Sequence, residues 1–103
     1  MTEAFASSYI PKRMSELGFT SYHYRLRELV IEKESSLTIP SYSEIWLLVS
    51  EPDGVIITSS LGTYDKDSEV LNEQTHEHQG EIICQNLNRF RVKIKWIQII
   101  IES

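Results

Sequence analysis

The sequence has little cysteine, glycine or proline, and each shortage excludes a class of protein. Cys84 is the only cysteine, so no disulfide can form within the chain, which excludes a disulfide-stabilised secreted scaffold. Four glycines and three prolines in 103 residues exclude a collagen-like or low-complexity chain. The first residues have neither the basic nor the apolar segment of a signal peptide, so we expect synthesis in a cytoplasm.

Basic residues are also in the minority. The chain has 15 acidic side chains against 10 lysines and arginines, and a formal net charge of −5. Non-specific binding to nucleic acid or to an anionic membrane requires a basic surface, and no apolar run is long enough to span a bilayer. We therefore expect neither nucleic acid nor membrane among the partners.

What is present is the composition and periodicity of one β-rich domain. Hydrophobic residues make up 41% of the chain and charged residues 24%, as in ordinary globular proteins. Apolar and polar residues alternate over most of residues 19–101, which is the pattern of half-buried strands. The sequence predicts a mainly β fold: a single antiparallel β-sandwich or jelly-roll-like domain over residues 19–103, after an N-terminal arm over residues 1–18.

Several local features make this prediction specific. Glu44–Ser50 is apolar on both faces, and the turn Glu51–Gly54 predicts a hairpin with Val55–Ser60. A change of phase near Glu28 indicates a bulge or a strand break, and Pro40 is expected to end a short strand. Residues 61–80 are polar and predict a long surface connection. The last strand is predicted to place Phe90, Val92, Ile94 and Trp96 on one apolar face and to be covered on both faces from Ile97 to Ile101.

The arm is predicted to contain one short helix, with Pro11 in its first turn and Gly18 after its end. Its apolar residues would add little to a sandwich core, and soluble proteins rarely leave such a group in water. We therefore expect the arm to bind a partner or a neighbouring subunit through Phe5, Tyr9, Ile10, Met14 and Leu17.

A metal site is the sharpest chemical alternative. His76 and His78 would share one face of a strand, and Glu81 could supply a third ligand, a pattern similar to the first motif of cupins. The second cupin motif is missing, because no histidine follows His78. The other interpretation is that these histidines form hydrogen bonds to a neighbouring strand. We expect no metal and no other cofactor.

Three further groups have both a functional and a structural interpretation. Cys84 could act as a nucleophile, but its apolar surroundings favour a buried structural thiol, as they favour burial of Trp96. A basic stripe could bind an acidic partner or form a solvated strand face paired with glutamates: Arg89, Arg91, Lys93 and Lys95. Four aromatic residues could form a sugar-binding platform or belong to a core or interface: Tyr22, Tyr24, Tyr42 and Trp46.

Several short motifs lie within about residues 28–101: Ile39–Val49, Pro52-x-Gly54, Gly62–Asp65, His76–Ile82, Asn86 and Trp96-Ile97-Gln98. Together they resemble small β-sandwich virion proteins of crAss-like tailed gut bacteriophages. The resemblance implies an auxiliary or decoration protein of the capsid, or a small head or tail component. It implies no catalytic residues and offers no match for the arm.

Together these observations predict a non-enzymatic structural protein of a phage particle, made in the cytoplasm of the bacterial host and incorporated into the virion. Its expected partners are the major capsid protein or other virion proteins, and copies of itself. The alternative is a small ligand-binding β-sandwich module for a sugar or, in a cupin-like manner, a metal.

Overall fold

A computed structural model describes residues 2–68 and 75–102, which form one helix followed by six strands. Helix α1 spans Glu3–Leu17, and the strands are β1 Tyr22–Ile31, β2 Ser36–Leu48, β3 Val55–Ser59, β4 Gly62–Asp65, β5 Glu77–Asn86 and β6 Val92–Ile101. The strands form one antiparallel sheet in the order β1-β6-β2-β5-β3-β4. The predicted fold class, mainly β with a short N-terminal helix, is confirmed.

The inner face of the sheet encloses an apolar cluster to which every strand contributes. Its buried members are Ile31, Ile39, Trp46, Leu48, Val55, Ile57, Tyr64, Ile82, Cys84, Ile94 and Trp96. β1 and β5 are not neighbours in the sheet, yet they contact each other, and the Asn86 side chain of β5 donates a hydrogen bond to the Ile31 carbonyl of β1. The sheet therefore curls until its two halves pack face to face, as in a small sandwich.

Helix α1 covers the outer face of the sheet. Ala6, Ile10 and Met14 lie one helical turn apart and are fully buried. They pack in a second cluster with Ile45, Leu47, Ile97 and Ile99. β6 is therefore buried on both faces toward its C-terminal end, as its apolar sequence predicts.

The helix is longer than predicted because it begins at Glu3. The Thr2 side chain accepts a hydrogen bond from the Phe5 amide at 3.1 Å, and Gly18, with φ of 82°, ends the helix as expected. Pro11 lies inside the helix instead of in its first turn. An interior proline costs about 3 kcal/mol, and burial of the apolar stripe offsets that cost.

β1 and β2 each run through a predicted interruption. β1 pairs with β6 without any register shift, so the expected bulge or break near Glu28 is wrong. The phase changes because Tyr22 packs on the helix side and Leu29 packs on the inner cluster. β2 continues past Pro40, where it pairs with β5 but not yet with β6, and a strand that is open on one side can accommodate a proline.

The predicted hairpin between β2 and β3 is also wrong. β3 forms as expected and follows the turn at Asp53 and Gly54, but its neighbours are β4 and β5. β5 lies between β2 and β3 in the sheet. The turn therefore leads the chain to the opposite half of the curled sheet, because a turn reverses direction without fixing the partner strand.

Two boundaries near the C-terminal half differ from the prediction. Residues 61–80 are not one surface connection, since Gly62–Asp65 form β4 and β5 begins at Glu77. Residues 69–74 of that stretch lie outside the described residues. β6 begins at Val92, so Phe90 precedes it and is 64% exposed instead of lying on the apolar face.

A buried asparagine joins the two halves of the sheet where β1 and β5 end. The Asn86 amide nitrogen lies 3.1 Å from the Ile31 carbonyl oxygen, 3.2 Å from that of Glu32 and 2.9 Å from that of Phe90. Its Oδ1 accepts a hydrogen bond from the Asn88 amide at 3.0 Å. This one side chain holds the end of β1 against the turn that leads into β6.

Trp96 provides a test of the inner cluster. It is fully buried, as predicted, with its ring 5.8 Å from those of Trp46 and His78. Trp96→Ala should lower the free energy of unfolding by about 3–5 kcal/mol, because it leaves a cavity. Phe90→Ala is the exposed aromatic control and should change it by less than about 0.5 kcal/mol. Urea denaturation measures both, and wild-type stability of Trp96→Ala would contradict the assignment.

Helix α1 provides a second test, because its residues differ so much in burial. Ile10→Ala should destabilise the protein by about 2–5 kcal/mol, since Ile10 fills the outer cluster. Phe5 lies on the same helix but is 59% exposed, so Phe5→Ala should change the free energy of unfolding little. Thermal unfolding followed by circular dichroism compares the two variants. Equal melting temperatures would mean that the helix does not contribute to the core.

Candidate protein interaction surface

His78 is part of the interior and not of an open metal site. It is fully buried, and its ring lies edge-on to that of Trp96. Nε2 lies 3.0 Å from the Thr75 carbonyl oxygen, which can only accept, so Nε2 carries the proton. Nδ1 then accepts a hydrogen bond from the Ser59 hydroxyl at 2.8 Å. Both ring nitrogens are thus used within the fold, as in the hydrogen-bonding interpretation of the sequence.

The other two proposed metal ligands do not converge on His78. The His76 ring lies 5.6 Å from that of Tyr64. Glu81 is exposed, three positions along the strand from His78 and on the opposite face. Within residues 2–68 and 75–102, no group of three histidine, cysteine or acidic side chains could hold a metal ion.

Cys84 and the basic stripe have structural surroundings in the fold. Cys84 is fully buried, as predicted, and burial raises its pKa to about 12, so it lacks the thiolate that a nucleophile needs. Arg89 and Arg91 lie in the loop before β6. Lys93 forms an ion pair with Glu28 on the neighbouring strand at 3.5 Å, which is the predicted arrangement of a solvated strand face.

The four aromatic residues considered as a sugar platform do not form one. Trp46 is buried in the inner cluster, whereas Tyr42 is 70% exposed. A shallow groove of about 310 Å³ lies beside Tyr42 and is lined by Phe19, Tyr42, Ser43, Gln79 and Ile101. Tyr42 therefore belongs to a different surface from Trp46.

The structure divides the five arm residues proposed to bind a partner. Ile10 and Met14 are fully buried in the chain's own core, so the proposal is wrong for both. The reason is that the outer faces of β2 and β6 are apolar and need a cover. Tyr9 is half-buried, while Phe5 and Leu17 stay exposed.

A polar contact fixes the arm to the sheet beside that apolar cluster. Glu77 of β5 accepts hydrogen bonds from Arg13 Nε and Nη2, both at 3.0 Å, and from the Tyr9 hydroxyl at 2.8 Å. The Glu77 side chain is only 14% exposed. Burial and this hydrogen bond raise the pKa of Tyr9 to about 12. The helix is therefore held by specific bonds as well as by apolar contact.

Strand β1 is the longer of the two edge strands of the sheet. It is ten residues long, lies at one edge of the sheet and pairs only with β6 among the described residues. On the helix side of the sheet it exposes Tyr24 at 47%, Leu26 at 49% and Val30 at 47%. A long edge strand with exposed apolar side chains is a template for pairing with another chain. β1 is therefore the candidate interaction surface.

The other face of β1 carries two arginines held side by side. Gln98 Oε1 accepts hydrogen bonds from Arg25 Nε at 3.0 Å and from Arg27 Nη1 at 2.8 Å. The Gln98 amide nitrogen donates in turn to Glu44. The Arg27 guanidinium lies over the Trp46 ring, 5.6 Å from its centre. Across residues 2–68 and 75–102, neither arginine has a carboxylate oxygen within 4 Å.

The sequence reasoning missed this surface for an identifiable reason. Tyr24 and Leu26 alternate with Arg25 and Arg27, and that pattern predicts the strand correctly. The pattern does not indicate which strand forms an edge, because edge position depends on pairings between distant segments. The excess of large apolar residues in Tyr22–Ile31 was the available indication of an exposed apolar face.

The pH dependence of stability tests the environment of His78. Burial lowers its pKa to about 4, whereas an unfolded histidine titrates near 6.5. Between these values the unfolded chain binds a proton that the folded chain does not, so stability falls as pH falls from about 6.5 to about 4. The loss is about 3 kcal/mol at most.

His78→Asn should remove this part of the pH dependence, and His23→Asn, at an exposed histidine, should retain it. Urea denaturation from pH 7.5 to 4 measures the difference, and nuclear magnetic resonance titration of the wild-type His78 ring checks it directly. A ring titration near pH 6.5 would contradict the buried, neutral histidine.

Among the described residues, no helix is long and apolar enough to cross a membrane. Comparison of the chain with protein-family models, with curated proteins and with solved structures finds no match. The candidate surface is therefore defined by the geometry of this chain: one long edge strand, which pairs on one side only among the described residues and is apolar on one face and basic on the other.

Proposed function

We propose that this chain is a non-enzymatic structural protein of a phage particle that attaches to larger shell proteins through β1. The observation that supports the proposal is the ten-residue edge strand with three exposed large apolar side chains. The sequence motifs that resemble virion proteins supply the biological setting. In that setting the protein is made in the host cytoplasm and joins the particle during assembly.

Strand addition fits β1 better than it fits the opposite edge. β4 has only four residues, and its Thr63 carbonyl already accepts a hydrogen bond from the Thr75 amide at 2.9 Å. β1 offers a longer row of backbone groups together with apolar side chains that a partner can cover. Main-chain hydrogen bonds give affinity in this mode of binding, and alternate side chains give specificity.

The ligand-binding alternative has less support from the arrangement of its residues. The His78 side chain is buried, and Glu81 lies on the opposite face of β5. Trp46 is buried whereas Tyr42 is exposed, so the two rings do not share a surface. An attachment role requires only a stable domain with one edge strand that can pair with another chain. It does not require catalytic or ligand-binding side chains that converge on one point.

The test replaces the exposed apolar residues of β1. Leu26→Lys combined with Val30→Lys should lower the amount of protein in purified particles at least about tenfold, because both side chains would lose apolar contacts worth about 1.5–3 kcal/mol each. Leu87→Lys with Phe90→Lys makes the same charge change at exposed sites outside the strands and should leave incorporation unchanged. Mass spectrometry of washed particles gives the ratio to the major shell protein.

Hydrogen exchange provides an independent measurement on the wild-type protein. Amides of β1 should exchange more slowly in the particle than in the free protein, while those of β4 should change little. Absence of the protein from washed particles, or incorporation that the β1 variant leaves intact, would contradict the proposed function.

A further inference from the structure

Assuming the proposed function, we propose that the β1 edge accepts an extended partner segment in which acidic and apolar residues alternate. Its carboxylates would meet Arg25 and Arg27 on one face of the extended sheet, and its apolar side chains would cover Tyr24, Leu26 and Val30 on the other.

The two arginines carry the electrostatic part of this proposal. Both guanidinium groups bind the same Gln98 oxygen, so two positive charges are held close together. Each donates one hydrogen bond to that oxygen and has five N–H donors in all, and among residues 2–68 and 75–102 no carboxylate oxygen lies within 4 Å of either guanidinium. Glu44 is bound to the other end of the Gln98 amide. Both side chains reach across β6, toward Gln98 and, for Arg27, the Trp46 ring. An incoming carboxylate would draw these long side chains toward the open edge, relieve the repulsion between them and accept hydrogen bonds from their remaining N–H groups, which favours bidentate binding.

The same charges disfavour a second copy of β1 as the occupant. Two β1 strands related by a two-fold axis pair antiparallel, so the residue at the axis faces its own copy. A register centred on Arg25 or Arg27 places that arginine opposite itself, and one centred on Leu26 places Arg25 opposite Arg27. A register centred on Glu28 places two glutamates together. Like charges directly opposite are destabilising in a sheet. Registers centred on Tyr24 or Leu29 avoid like-charge pairs within β1 but place no carboxylate opposite either arginine.

The backbone and the apolar face determine the rest of the partner's pattern. Residues opposite each other in a sheet share a face, so carboxylates opposite the arginines fall on one parity of the partner strand. The other parity lies beside Leu26 and Val30, where β-branched or other apolar residues pack well. The partner segment therefore alternates between the two classes over about six to ten residues, the length that β1 can pair.

The experiment uses fluorescently labelled peptides of about ten residues, matched to the length of β1. One alternates valine with glutamate and another alternates valine with lysine. A third is the glutamate peptide with one central valine replaced by proline, which blocks backbone pairing. Fluorescence anisotropy with the wild-type protein at low salt should show that the glutamate peptide binds at least about tenfold more tightly than either of the others.

Two protein variants assign the effect to β1. Arg25→Gln with Arg27→Gln should weaken binding of the glutamate peptide about tenfold and reduce its salt dependence. Arg89→Gln with Arg91→Gln removes the same charge from an exposed loop and should leave binding within about twofold. Circular dichroism and thermal unfolding check that both variants are folded.

Several outcomes would overturn the inference while leaving the proposed function standing. One is that the glutamate and lysine peptides bind equally well. Another is that the Arg25 and Arg27 substitutions do not change binding of the glutamate peptide. A third is that no peptide binds, although the apolar β1 variant still fails to enter particles. Analytical sedimentation could instead show a concentration-dependent dimer that the apolar β1 variant abolishes. That result would mean that the partner of β1 is a second copy of this chain and not an acidic segment. If particle incorporation is unaffected by the apolar β1 variant, the proposed function itself fails.

Discussion

The fold depends on burying β6 from both sides. Ile94 and Trp96 point into the curled sheet, and Ile97 and Ile99 lie beneath the helix. Each such side chain contributes about 1.5–3 kcal/mol when it leaves water. An apolar strand of this kind needs two covers, and this small chain provides them by curling its own sheet on one side and packing α1 on the other. The curl and the helix are thus two responses to one sequence feature.

Several packings of these strands could bury the same apolar area. Buried polar groups favour one of them, because their hydrogen bonds form only in that packing. Asn86 joins the ends of β1 and β5 through backbone carbonyls, and His78 joins β5 to β3 through Ser59. Glu77 ties the helix to the edge of the covered region. An unsatisfied buried polar group costs about 1–3 kcal/mol, so an alternative packing that separated these partners would be penalised at each site.

Local patterns predicted local structure well and long-range structure poorly. The alternation around Val92–Trp96 and the helix stop at Gly18 depend on neighbouring residues, and both were predictable. The partners of β3 and the continuity of β2 past Pro40 both depend on where β5, a segment distant in the chain, inserts into the sheet. The burial of Ile10 and Met14 required knowing that Ile97 and Ile99 would face outward. The paired arginines could not be predicted for the same reason, since Gln98 is brought to them by the β1–β6 register.

The unequal edges of the sheet have a consequence for growth. A sheet with two equivalent free edges can propagate, because every added copy offers a new template. In this protein one edge is long and open, while the other is short and already engaged by Thr75. A molecule that docks through β1 would present β4 to the outside, where the next strand finds little to pair with. The protein would thus terminate a strand array instead of extending it, which suits a component that must attach at a fixed stoichiometry without polymerising.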